Sequence, residues 1–140
     1  MEFGFALDPF GTVGKVIRSW RPRGCKTEKD YRDSLKLKLQ KELGNQKIQP
    51  EYGRGSQYID IVVDGKVAIE IRKGLKSTGS LKRTIGQLDR DLKDWKGVFL
   101  VLCGEIRPDL VKSLKQYAKK QTGGLSYPFS YEKLEIIRRK

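Results

Sequence analysis

The chain has 140 residues, 37% of them hydrophobic and 34% charged, a balance that suits one globular domain with its own core. Thirty Lys and Arg against 17 Asp and Glu leave a formal charge of +13, which points to a polyanionic partner, nucleic acid first and an anionic membrane surface second. Histidine is absent and cysteine occurs twice, which excludes His-based general-base catalysis, Ser-His-Asp and Cys-His arrangements, His-ligated zinc and a disulfide framework.

Residues 1–26 mix Phe3, Phe5, Phe10, Val13, Val16, Ile17 and Trp20 with Gly4, Pro9, Gly11 and Gly14, which interrupt any regular period. Gly11 to Lys15 is not a phosphate loop, because Pro9 stands where the first glycine is required and Val16 where a Ser or Thr is. Arg18, Arg21 and Arg23 around Trp20 read as a basic, aromatic arm or accessory segment, with packing of Trp20 on the main body as the equal alternative. A single α/β domain is expected over 27–140.

Thr27-Glu28-Lys29-Asp30 has the spacing of a capping box and predicts a helix to about Leu43, before Gly44-Asn45. Tyr31, Leu35 and Leu39 form its apolar stripe, and Glu28 lies on that same stripe. An acid there either favours the positive helix N-terminus or points across the end of a sheet. Lys47 to Glu51 reads as a short strand, followed by a polar turn through Gly53, Gly55 and Ser56.

Tyr58 to Lys73 reads as two short strands, rich in Ile and Val, joined at Asp64-Gly65. Ile59, Ile61 and Val63 share one side, and Val67, Ile69 and Ile71 share another. A two-residue loop would place these sets on opposite faces. A three-residue loop (63–65 or 64–66) or a bulge is therefore expected, so that both sets bury together. In that register Asp60, Glu70 and Arg72 gather on the other face, near Val62 and the small Ala68. Neighbouring carboxylates repel unless a metal or a proton sits between them. Mg2+ favours a few carboxylate oxygens completed by water and substrate phosphate. The bland counterpart is a wet strand face with an incidental Asp–Arg pair.

Ser80 to Trp95 carries the clearest helical stripe, Leu81, Ile85, Leu88, Leu92 and Trp95. Gln87 stands about 120° from its centre, at the border of core and solvent, with Arg83 and Arg90 on the opposite face. Val98 to Cys103 is a continuous apolar run, as in a strand covered on both faces, with Cys103 a small buried residue. Pro108 suits the first turn of a helix with the stripe Leu110, Val111, Leu114, Tyr117 and Ala118, ending before Gly123-Gly124. Leu134 to Ile137 forms a late edge strand. The expected class is α/β, a mixed sheet of four to five strands flanked by helices in the order αβββαβ.

That order, carrying Glu28, Asp60, Glu70-Ile71-Arg72 and Gln87, resembles the PD-(D/E)xK nuclease superfamily, which includes restriction endonucleases and archaeal Holliday junction resolvases. The resemblance spans residues 27–103 and implies a restriction-endonuclease-like fold. Asp60 stands at the first strand carboxylate, Glu70 at the acid of the (D/E)xK element, Glu28 at the first-helix glutamate and Gln87 at a glutamine after the hairpin. Ile59 replaces the proline, and Arg72 takes the lysine position. The resemblance implies Mg2+- or Mn2+-dependent hydrolysis of a DNA phosphodiester, with the metal on Asp60, Glu70 and the Ile71 carbonyl, Glu28 at a second ion or its water, Arg72 stabilising the developing charge or orienting the water, and Gln87 orienting Arg72 or contacting the backbone phosphate. It further implies a homodimer acting on DNA, with RNA left open. Arginine stays protonated, so Arg72 stabilises phosphate charge but cannot act as a base. The alternative is a catalytically degenerate nuclease fold that binds nucleic acid or assembles with partners. A third class is a basic partner of an acidic protein or membrane surface. No apolar run approaches the roughly 18–20 residues of a membrane span, and no signal peptide is recognisable, so the expected location is the cytoplasm without a membrane partner.

Overall fold

The computed structural model describes residues 8–54, 57–122 and 133–139. Residues 1–7, the turn at Gly55 and Ser56, and the Gly123-Gly124 stop lie outside these. Helix α1 (Pro9–Ser19) starts where Asp8 Oδ1 accepts the Gly11 N–H at 2.9 Å and Pro9 takes a position that requires no N–H. It buries Val13, Val16, Ile17 and Trp20 in the main core. Of the two readings of this segment, packing of Trp20 on the main body agrees with the structure, while Arg21 and Arg23 beyond it are exposed. Helix α2 (Glu28–Glu42) opens with the expected capping box. Thr27 Oγ1 accepts the Asp30 N–H at 3.1 Å, and Asp30 Oδ2 accepts the Thr27 N–H at 3.0 Å. Tyr31, Leu35 and Leu39 are buried, and Leu37, off that stripe, is 66% exposed.

The remaining elements are β1 (Ile48–Arg54), β2 (Gln57–Val63), β3 (Val67–Lys73), α3 (Thr78–Asp94), β4 (Gly97–Cys103), α4 (Pro108–Thr122) and β5 (Lys133–Arg139). The five strands lie in space in chain order. β1, β2 and β3 form an antiparallel meander, and β4 and β5 join in parallel. Parallel neighbours need crossovers, which α3 and α4 supply. The class is therefore α/β with a mixed sheet. Helices α1 and α2 cover one face, over Ile61, Val63, Ile69, Ile71, Phe99 and Val101. Helices α3 and α4 cover the other, over Val62, Ala68, Val98, Leu100, Leu102 and Ile136. All seven residues of β4 are buried, as an unbroken apolar run requires.

In the central hairpin Ile61 faces Ile69, Val62 faces Ala68 and Val63 faces Val67. The loop is thus the three residues Asp64, Gly65 and Lys66, one of the two loops the apolar alternation demands. Asp64 (φ 51°) and Gly65 (φ 66°) make the turn in the left-handed region, which Asp tolerates and Gly enters freely. Ile59 corrects the expected pattern. It packs on the α3/α4 side, with Tyr52 as its partner on β1, and not beside Ile61 and Val63. Glu51, just before Tyr52, has φ 52°, and the alternation of faces breaks at that step. Tyr52 then meets Trp95 edge-on, with ring centroids 5.6 Å apart. Among the described residues no helix is long and apolar enough to cross a membrane.

Candidate functional site

The polar residues foreseen in the hairpin meet at the C-terminal end of β3, one strand from the fully buried β4. Three of their oxygens point at one cation. Arg72 Nη1 lies 2.8 Å from the Ile71 carbonyl oxygen, 3.5 Å from Asp60 Oδ2 and 4.0 Å from Glu70 Oε1. Asp60 Oδ2 also accepts the Ile71 N–H at 2.7 Å. This bond ties β2 to β3 through a side chain just beyond the Ile61–Ile69 pair. The arrangement is a small oxygen cage closed by a guanidinium from the strand that supplies two of its oxygens.

Glu70 is 1% exposed and reaches into a second layer of contacts from α3. Gln87 Nε2 donates to Glu70 Oε2 at 3.2 Å and to Asp91 Oδ1 at 3.0 Å, while Gln87 Oε1 accepts from Arg90 at 2.9 Å. Gln87 therefore orients the two acids, where the sequence suggests it would orient Arg72 or touch phosphate. Asp91 is fully buried, and its Oδ2 meets no N–H donor. Burial raises the Glu70 carboxyl to about 10, and the Asp91 carboxylate beside it adds to the shift. Asp91 is also raised by burial, while its hydrogen bonds to Glu70 and Gln87 pull it back. The pair thus shares a proton, which burial and the neighbouring Asp91 charge favour on Glu70, while Asp91 Oδ2 has no hydrogen-bond partner in the structure. Asp60 is raised by burial too, against the opposing effects of the Ile71 N–H and Arg72.

Glu28 stands at the rim. As the first residue of α2 it is exposed, and its Oε2 accepts the Lys73 N–H at 2.9 Å. Both features read from the sequence are present at Glu28: it stands in the first turn of α2, and its side chain reaches the sheet end, where it caps the tip of β3 at the Lys73 N–H and makes no bond to Asp60 or Glu70. Lys73 itself is exposed and lies along Gly104, so it does not replace the missing lysine. Outside the cage opens a cavity of about 580 Å3 lined by Arg72, Lys82, Arg83, Gly86, Gln87 and Arg90. Arg83, Gln87 and Arg90 form one row at spacings of four and three on α3. Arg83 and Arg90, expected on the far face of that helix, instead flank the site.

Asp91 is the residue that sequence reasoning misses. Its signal is its place four residues after Gln87 and between Leu88 and Leu92, both core residues, a poor setting for an unpartnered acid. Among the described residues no group of three or more His, Cys, Asp or Glu side chains could hold a metal ion. What the cage offers a cation is two carboxylates and a main-chain carbonyl. That set suits Mg2+, which keeps several waters and binds through one or two carboxylates plus phosphate. In the structure the Arg72 guanidinium lies among these oxygens.

The chain matches no family model, no curated protein and no solved structure.

Proposed function

We propose that this chain is a nuclease of the PD-(D/E)xK type, hydrolysing phosphodiesters of nucleic acid, with DNA the first candidate. The observation that carries this reading is the convergence of Asp60, Glu70 and the Ile71 carbonyl on one cationic point at the edge of an arginine-lined cavity. Asp60, Glu70 and the Ile71 carbonyl would hold Mg2+ or Mn2+. A bound divalent ion supplies Lewis acidity that activates a water and neutralises charge building on the phosphate.

The chain's own residues do the rest. Arg83, Arg90 and Lys82 bind the backbone phosphate and fix its approach. Arg72 stabilises developing negative charge and takes no part as a base. Gln87 and Asp91 fix the orientation of Glu70 from behind, and Glu70 would have to release its proton to solvent to serve as a metal ligand. Glu28 braces the tip of β3 through the Lys73 amide. A homodimer accompanies this reading by resemblance, and a cytoplasmic location is proposed with it.

One observation favours a second reading, a nucleic-acid-binding or assembly module without turnover: Arg72 Nη1 fills the cation position, 2.8 Å from the Ile71 oxygen. Plasmid and four-way-junction DNA incubated with wild type and with Glu70→Ala, each in Mg2+, Mn2+ and EDTA, separates the two. The nuclease reading expects metal-dependent products that fall about 100-fold or more in Glu70→Ala. Tight binding without products in either metal would establish the binding module. Absence of DNA binding at low salt would sink both.

A further inference from the structure

We infer that Arg72 is a gate which couples cation loading to phosphate binding: it closes the oxygen cage in the free protein and leaves it when an anionic backbone enters the neighbouring cavity. This rests on the metal-dependent reading above and adds its regulation. Three observations carry it. Arg72 Nη1 bonds the Ile71 carbonyl at 2.8 Å and lies within 4.0 Å of both Asp60 and Glu70, so the guanidinium and a divalent ion compete for the same oxygens. The same side chain lines the cavity of about 580 Å3, so it has a place to go. And that place is hostile to it while empty, because Lys82, Arg83 and Arg90 line it too.

The energetics follow from charge. Mg2+ requires oxygen ligands at about 2.0–2.1 Å, and the point among these three oxygens is the one the Arg72 guanidinium nitrogen holds, so a second cation there meets both its volume and its like charge. Expelling Arg72 into an empty cavity would bring a fourth cation beside three others. A phosphate in the cavity reverses that sign, offering Arg72 a charge-assisted, bidentate partner. The free protein therefore binds a divalent ion weakly and the nucleic-acid complex binds it strongly. By linkage, the ion tightens nucleic-acid binding by the same factor.

The test is Mn2+ binding by titration calorimetry, with and without a saturating phosphorothioate DNA duplex and corrected for Mn2+ taken up by the duplex alone. Wild type and Arg72→Gln are compared. In wild type the duplex should raise Mn2+ affinity about tenfold or more, and Mn2+ should raise duplex affinity by the same factor, a reading that needs no variant. In Arg72→Gln the Mn2+ affinity without duplex should rise about tenfold and the coupling should shrink to within about twofold. Loss of a positive charge alone would tighten Mn2+ in both states and leave the coupling intact. That outcome overturns the gate. Equal Mn2+ affinity with and without duplex in wild type also overturns it and leaves the metal site standing. No Mn2+ binding by either protein in either state removes the gate and the metal-dependent reading together.

Discussion

Burial and the adjacent Asp91 carboxylate hold the Glu70 carboxyl protonated, raised from 4.5 to about 10. Because the folded value lies above the unfolded one, its contribution to stability is complete below about pH 4.5 and is lost progressively as pH rises toward 10. Glu70→Gln keeps a donor for Asp91 and cannot ionise. It should lie within about 1 kcal/mol of wild type near pH 5 and gain on it by about 1.4 kcal/mol per pH unit above that, reaching several kcal/mol at pH 9. Thermal melts across that range check this; a variant that gains nothing at pH 9 would show that Glu70 ionises freely. Asp91→Asn removes the other half of the same shared proton, so Glu70→Gln and Asp91→Asn should be non-additive. Glu70 and Arg72 are legible because strand alternation fixes their face once the loop length is fixed; Asp60 reaches them although the alternation breaks at its own position, between Ile59 and Ile61. Asp91 is not legible, because an acid on an amphipathic helix reads as solvent-facing until a partner on the sheet shows otherwise.

Helix α1 illustrates why some elements escape a reading by period. Its glycines and Pro9 look like interruptions, yet each has a local cause in the fold. A Cβ on Gly11 would collide with the Asp8 carboxylate that its N–H meets at the helix start. A Cβ on Gly14 would come within 3.1 Å of the Phe99 ring. Phe10 stacks on Phe99 at 4.2 Å, and a Cβ on Gly97 would lie 2.7 Å from the Phe10 ring. Gly97→Ala should therefore push Phe10 off its partner and cost about 1–3 kcal/mol. Denaturant unfolding should show that loss, and it should shrink when Phe10→Ala is added, since the two sites share one clash. By contrast α2, α3, β4 and the hairpin are legible because each states its cause in sequence: a cap, a stripe, an unbroken apolar run, two alternating sets that must share a face. Ile59 departs from that rule at the same step where the register skips Asp60 on β2 and Glu51, with its positive φ, on β1.

At the scale of the whole molecule the charge of +13 acts as a field, and the cavity beside Arg72 gathers part of it at one mouth. If nucleic acid enters there, each phosphate contact contributes about 0.9 to the slope of log affinity against log salt on duplex DNA. Lys82→Ala with Arg83→Ala should lower that slope by about 2 and weaken all sequences alike. Filter binding at several salt concentrations measures it, and an unchanged slope would place the nucleic acid elsewhere. The two ends of the described chain are also neighbours. Arg18 pairs with Glu135, 117 positions away, and Arg139 bonds the Trp20 carbonyl at 2.7 Å. The meander from β1 to β3 can assemble from contacts close in sequence. The layer under α1, with Val13, Ile17, Phe99 and Ile137 in one cluster, closes only when the last strand returns to the first helix. During synthesis or refolding that apolar face stays open longest, so the interval before β5 docks is when this chain is most exposed to aggregation and to chaperone capture.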